Sequence, residues 1–261
     1  MNDDQTGASG SELLRLHEDP KLLTVVNVWD VASAEVVAAV EGTRAIATAS
    51  HSIAASYGYR DGENIPLDLM LEVVGRVVQS TTLPVTADLE GGYGNPADTV
   101  RRAIGVGVVG ANLEDQMRPL PEAAANVERV MRAADQEGVE DFVLNARTDA
   151  FVNSSGRTES EMLDEAIKRG RAFLDAGAPA VFVPGWLNEE QVGTLVAAFG
   201  PQRLTMMALP GVPPLGRLEE LGVARVSYGP MAQYVALTAL QELVEEVHRG
   251  GGVPSTMRVL N

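Results

Sequence analysis

Thr86 to Asn95 reads TADLEGGYGN. It follows Leu83-Pro84-Val85, a short apolar run of the kind that ends a buried parallel strand, so Asp88 and Glu90 arrive where a strand stops and a glycine-rich turn begins. Two residues apart on extended chain, their side chains share one face and one small volume. Their charges repel unless a cation lies between them. A hard divalent ion such as Mg2+ (or Mn2+) suits oxygen ligands and keeps water for a substrate to displace. Gly91, Gly92 and Gly94 let the backbone turn sharply and pass close to a ligand. Taken alone, the stretch is equally well explained as a polar turn with both carboxylates solvated.

The same strand-turn-helix unit recurs on either side. Leu22 to Val28 is a β-branched apolar run of strand length, and Asp30 or Ser33 can cap a helix over Ala34 to Val40. Ala45 to Thr48 is a second strand, followed by a polar connection from Ser50 to Asn64 and a helix from Pro66 to Gln79. Asn95-Pro96 caps and starts the helix Ala97 to Ile104. Strand Val108 to Glu114, helix Pro121 to Gln136, strand Phe142 to Arg147 and helix Ser160 to Asp175 come next, the last entered through the capping box Thr158-x-x-Glu161. Ala180 to Val183, Leu204 to Met207 and Ala224 to Ser227 alternate with helices Glu189 to Phe199, Leu215 to Leu221 and Met231 to His248. Eight such units in 261 residues fit a (β/α)8 TIM barrel, usually about 250 residues long, with a doubly wound open sheet as the alternative. The expected organisation is a polar tail over residues 1–11, one α/β barrel domain over 12–248 and a second tail over 249–261.

Gly105-Val-Gly107-Val-Val-Gly110 matches the dinucleotide fingerprint G-x-G-x-x-G, but that motif works when it follows a strand and opens a helix. Here the glycines end a helix and lead into a strand, which makes them a cap and a site of close packing. Composition narrows the function further. With 36 acidic and 20 basic residues the formal charge is −16, which repels nucleic acid and anionic membranes. The absence of cysteine removes disulfides, thiolate zinc sites and a cysteine nucleophile. His17, His51 and His248 lack metal-ligand spacing. The start MNDDQTGASGSE is unlike a signal peptide, and no apolar run reaches about 18 residues, so a cytoplasmic protein is expected.

In a barrel of this kind catalytic groups sit where strands end, at the C-terminal face. That rule brings Asp88 and Glu90 together with Glu114 of the fourth strand and Arg147 of the fifth, and Asp61 can bend back from the long connection over the same mouth. So many carboxylates around one arginine are costly without a cation. A structural ion pair between Glu114 and Arg147 is the simpler alternative for those two residues.

These residues give the chain a resemblance to the isocitrate lyase and phosphoenolpyruvate mutase superfamily, running roughly from Leu22 to His248. Asn27-Val-Trp29-Asp30 resembles the family's first-strand end, and Gly42 to Asp61 is similar to the segment that binds substrate and ends in Arg60-Asp61. Asp88-Leu-Glu90-Gly-Gly92-Tyr93-Gly94 matches the metal motif D-x-D-x-G-[FY]-G, with Glu90 for the second Asp; Glu114-Asp115-Gln116 and Arg147 match the family's E-D-Q and fifth-strand arginine. The resemblance implies that Asp88 holds Mg2+ directly and that Asp61, Glu90 and Glu114 hold it directly or through water. It also implies that Arg147 grips the substrate carboxylate, with Trp29, Ala49, Ser50, Asp61, Gly92 and Tyr93 around the substrate. A homo-oligomer, dimer or tetramer, with Met231 to His248 exchanged between subunits, is implied as well.

The departures from the family are equally informative. The K-[KR]-C-G-H loop of the lyases is missing, because Gln116-Met-Arg-Pro-Leu-Pro-Glu122 runs almost directly into the next helix. The family's Ser-Gly pair is Ala49-Ser50 here, followed by His51. The expected function is a Mg2+-dependent lyase or mutase that forms or cleaves a C–C or C–P bond in a small 2-oxo or 2-hydroxy carboxylate through a pyruvate-like enolate. Arg147 and Glu114 are its expected catalytic residues, and His51 and Tyr57 are the candidate proton donors. Two alternatives stand beside it: an oxaloacetate-type hydrolase or decarboxylase, and a non-catalytic metal-dependent carboxylate-binding protein.

Overall fold

A computed structural model of the chain describes residues 3–154 and 156–260. Helix α1 (Asp3–Glu18) precedes β1 (Leu23–Val25) and β2 (Asn27–Val28), two pieces of the first expected strand separated at the exposed Val26. There follow α2 (Val31–Ala38), β3 (Ile46–Thr48), α3 (Ser50–Ser56), α4 (Leu67–Gln79), β4 (Val85–Asp88) and α5 (Pro96–Gly105). The central part continues with β5 (Gly110–Glu114), α6 (Leu120–Gln136), β6 (Val143–Arg147), α7 (Glu159–Asp175) and β7 (Ala180–Phe182). The chain then runs through α8 (Glu189–Phe199), β8 (Leu204–Met207), α9 (Leu215–Leu221), β9 (Arg225–Ser227) and α10 (Met231–His248). All pairings are parallel, in the order β1-β9-β8-β7-β6-β5-β4-β3-β2. Because β1 and β2 are neighbouring pieces of one stretch, a sheet that starts on one and ends on the other closes on itself, which is the expected eight-unit barrel and excludes the open sheet.

The local signals are those expected from sequence. Asp30 and Ser33 form a reciprocal capping box at α2, Thr158 and Glu161 another at α7, and Asn95 accepts from the amide of Asp98 at α5. The dinucleotide-like glycines end α5 and lead into β5.

Two expectations need correction. Residues 1–11 were expected as a polar tail, but most of them belong to α1, whose Leu13 and Leu16 cluster with Leu23, Val25, Ala45, Ala47, Val109 and Val143 at the base of the barrel. The helix extends back from that apolar anchor, since each further turn is added more cheaply than the first. The connection from Ser50 to Asn64 contains α3, which Ile53 and Ala54 anchor in the core and whose polar residues hid any helical periodicity. The expected tail 249–261 is, over its described part from Arg249 to Leu260, without helix or strand.

At the base, Gly110 allows α1 to seat against the barrel. A Cβ at this position would lie 2.7 Å from Leu13 Cδ2 and 2.9 Å from the Val143 carbonyl oxygen. The carbonyl belongs to a strand and cannot retreat. Gly110→Ala should therefore destabilise the fold by about 1–3 kcal/mol, seen as a lower urea midpoint; a midpoint equal to that of the parent would show that α1 does not close the base in this way.

Candidate active site

Asp88, Glu114 and Arg147 are the last residues of β4, β5 and β6, so one rule of barrel topology places all three at the same face. Strand register makes the placement finer. Asp88 stands opposite Asn112 on β5, and Glu114 opposite Arg147 on β6. Together with Ser50, His51, Asp61 and Glu90 they line a cavity of about 390 Å³ at the strand ends.

The turn after β4 is shaped by close contacts. Glu90 and Tyr93 adopt positive φ of 53° and 52°, a conformation that costs non-glycine residues and is typical of functional turns. Gly91 leaves room for the Gln116 side chain, which a Cβ there would meet at 2.2 Å, so the E-D-Q stretch and the metal-motif turn interlock. Glu90 is held by the backbone N–H of Glu63 and by the Tyr93 hydroxyl at 3.2 Å, while the Glu63 carboxylate accepts from the Tyr93 backbone N–H at 2.6 Å. Asp88 Oδ2 accepts from the backbone N–H of Ser50 at 3.2 Å and from its hydroxyl at 2.7 Å. The Ser50 position therefore retains an amide donor, aimed at Asp88.

Arg147 is clamped, with Nη1 2.8 Å from Glu114 and Nε 2.8 Å from Asp149. Glu114 and Asp149 share this arginine, and Asp88 and Glu90 lie in the same cavity region without an ion pair of their own among the described residues. Burial pushes Glu90 up to about 7, against the hydrogen bond from Glu63, and Asp88 and Asp61 add repulsion. Burial likewise pushes Glu114 up to about 7, with Arg147 pulling it down and Asp149 and Asp88 opposing. Asp149 is raised by the same cause, and burial with the charge of Glu90 also raises the Tyr93 hydroxyl.

This donor set fits a hard divalent cation. It is all oxygen and short of positive charge, although among the described residues no group of three or more His, Asp or Glu side chains is already gathered closely enough to hold a metal ion. Mg2+ commonly sits on one or two carboxylates and keeps several waters, so it does not require such a group.

The other sequence candidates fall in different places. His51 is at the cavity wall, with Nδ1 3.5 Å from Asp61 and Nε2 3.0 Å from the Tyr234 hydroxyl. Tyr57 ends α3 and is half exposed, and it is not among the residues that line the cavity. Trp29 packs on the apolar core, Ala49 is the buried residue preceding α3, and Gly92 packs tightly on Pro96. Sequence reasoning assigned no site role to Asp149, Asn112 or Tyr234. Asp149 could have been found by its spacing of two from Arg147, whereas Tyr234 looked like one more apolar position of the last helix. Asp115 is structural: it pairs with Arg169 of α7 at 3.0 Å and accepts from the backbone N–H groups of Met117 and Asp149. It thereby pins the short turn between β5 and α6.

The arrangement matches known proteins over nearly its whole length. The chain is 28% identical over 254 residues to the 2,3-dimethylmalate lyase of Eubacterium barkeri, covering 91% of this chain and 84% of that one. It is 25% identical to the phosphoenolpyruvate phosphomutase of Streptomyces hygroscopicus, covering 95% and 83%. Among solved structures, a phosphonomutase-like protein of Burkholderia cenocepacia J2315 superposes with a TM-score of 0.84 at 40% identity over 94% of this chain and all of that one. An oxaloacetate acetylhydrolase bound to its product oxalate superposes with a TM-score of 0.84 at 25% identity over 96% and 91%. Residues 13–248 match the phosphoenolpyruvate phosphomutase family, and the chain belongs to that family, within the superfamily it shares with isocitrate lyase.

Proposed function

We propose that the protein is a Mg2+-dependent (or Mn2+-dependent) lyase or mutase that makes or breaks a C–C or C–P bond in a small 2-oxo or 2-hydroxy carboxylate through an enolate. The single observation that carries the reading is the crowd of Asp88, Glu90 and Glu114 beside Arg147 in one cavity. Asp88 would hold the cation directly, with Glu90, Glu114 and Asp61 holding it directly or through water. When bound, the cation supplies positive charge where the enolate oxygen becomes negative. Arg147 orients the acid. Its Nε and Nη1 are engaged and Nη2 has no partner among the described residues, so a substrate carboxylate competes with Glu114 for the Nη1/Nη2 edge. Ser50 keeps Asp88 aimed into the cavity through its two hydrogen bonds.

The turn from Asp115 to Pro119 is short and pinned, and Gln116 and Met117 both take left-handed backbone. No long flap exists there to exclude water. This feature favours the hydrolytic alternative, cleavage of an oxaloacetate-like acid, and it predicts slow turnover on isocitrate or methylisocitrate, well below about 10 per second. A panel of 2-hydroxy diacids, oxaloacetate and phosphonopyruvate, read out as pyruvate, glyoxylate, oxalate and phosphate, separates the reactions. Absence of any turnover with retained binding would leave the non-catalytic reading.

The exposed face of α10 supports a homo-oligomer. Gln233, its one buried residue, ties the first turn to Ser52 and Ser56 of α3, while Tyr234, Val235, Leu237, Leu240, Val244 and Val247 are exposed. Burying such side chains is worth about 1.5–3 kcal/mol each, so the helix should pack on another copy in a dimer or tetramer. Light scattering should give a mass above 27.6 kDa, and a monomer at micromolar concentration would contradict this.

Glu90 and Glu114 titrate higher in the folded chain than when unfolded, so the metal-free protein loses stability as pH rises through about 7. A bound cation favours the deprotonated forms. The rise in melting temperature caused by Mg2+ should therefore be larger at pH 8 than at pH 6 and absent in Asp88→Ala, and equal protection at both pH values would argue against these ligands. Oxalate, which needs only the cation and Arg147, should bind in the presence of Mg2+ and weaken about tenfold in Arg147→Lys, since lysine keeps the charge and loses the planar fork. Oxalate affinity indifferent to both would overturn the assignment.

A further inference from the structure

Beneath the carboxylates the barrel holds a polar spine of Arg225, Asn112, Asn145 and Thr205. Arg225 is buried, and its Nε and Nη1 have no hydrogen-bond partner among the described residues. Its Nη2 faces Asn112 Oδ1 at 3.5 Å. A guanidinium carries only donors, so the neighbouring amide must turn its oxygen toward it; the flipped amide would set donor against donor. That polarity propagates. Asn112 Oδ1 accepts from Asn145 Nδ2 at 2.7 Å, and Asn145 Oδ1 in turn accepts from the Thr205 hydroxyl at 2.5 Å. With its oxygen committed downward, the Asn112 Nδ2 group is left without a partner among the described residues. Asn112 also lines the cavity directly beside Asp88.

We propose that the Asn112 side-chain amide is a substrate-binding donor at the cavity floor, aimed at an oxygen of the bound acid, and that Arg225 is the positioning residue that sets its direction. This rests on the reading of the cavity as a carboxylate site. A fixed N–H2 at the floor selects ligands that place an acceptor there, a carboxylate, keto or hydroxyl oxygen. It disfavours those that place an amino group, because two donors would then face each other in a buried space. Asn112 lies two residues below Glu114 on β5, so it addresses the deeper end of an acid whose other end reaches Arg147. That arrangement suits short acids with oxygens on adjacent carbons.

Oxalate and oxamate provide the test: one oxygen is replaced by an amino group and one negative charge is lost, so the decisive quantity is how the oxalate-to-oxamate affinity ratio changes between the parent and the Asn112 variants. Affinities of both would be measured by calorimetry with Mg2+, alongside Mg2+ affinity alone and the urea midpoint, for the parent, Asn112→Ala and Asn112→Asp. The parent should prefer oxalate. Asn112→Ala should lose about ten- to a hundredfold in oxalate affinity while keeping its Mg2+ affinity. Asn112→Asp presents a carboxylate that pairs with Arg225, so it should remain folded, lose oxalate further and bind oxamate at least as well as oxalate. Oxalate affinity unchanged in Asn112→Ala, or a parent that prefers oxamate, would overturn the assignment; the second result needs no variant to fold. A parent that binds neither acid would instead refute the carboxylate reading of the cavity, and this inference with it.

Discussion

The concentration of carboxylates around a single arginine at the ends of β4, β5 and β6 is the constraint on which the rest of the site depends. Parallel register leaves no freedom here: Glu114 must stand beside Arg147, and Asp88 one strand further along, because their strands are paired at those residues. Arg147 is shared by Glu114 and Asp149, so its charge is already spent within the protein. The surplus negative charge is held in a partly desolvated cavity, where repulsion is much stronger than in water. Burial first, with repulsion added to it, pushes Glu90 and Glu114 up to about 7. On the proposed reading, a cation bound among these carboxylates would relieve that repulsion.

Holding such a site requires rigidity around it, and the neighbouring polar groups supply that rigidity. Asp115 does not join the site; with Arg169, which also pairs with Glu165, it locks the β5–α6 turn to α7, and removing Arg169 would leave the buried Asp115 carboxylate without its cation. Glu63 reaches over from the loop after α3 to hold both Glu90 and Tyr93 through backbone contacts, closing the left-handed turn. Asn27 plays the same part on the far side, accepting from the backbone N–H groups of Tyr228 and Gly229 and donating to the Thr48 carbonyl. The turns and strand ends around the cavity are thus fixed by hydrogen bonds within the protein.

Much of this was legible in the linear chain. Apolar runs bounded by capping residues reported the alternation of strands and helices, since capping boxes and first-turn prolines are local chemistry that tertiary packing did not override. The rule that barrel strands present their C-terminal ends to the site then gathered Asp88, Glu90, Glu114 and Arg147, and the glycines of Gly105 to Gly110 end a helix and, at Gly110, pack closely, as the reading of a helix cap and tight packing expected. The helix over Asp3–Glu18 was not legible, because its stability comes from Leu13 and Leu16 meeting a surface assembled by strands far along the chain.

The sequence by itself determined the number and order of the units, the sign of the charge and the identity of the residues at the strand ends. These depend on local periodicity and on composition. Only the tertiary structure decided which partner each polar group takes. Asp115 and Glu114 are adjacent in the chain, yet alternation along the strand sends Glu114 to Arg147 in the cavity and the turn sends Asp115 to Arg169 beneath it. Arg225 and Asn112 are distant in sequence and carry no motif that links them. They meet only because a closed barrel brings β9 and β5 across one narrow interior, where the buried guanidinium orients the Asn112 amide and, through it, that of Asn145.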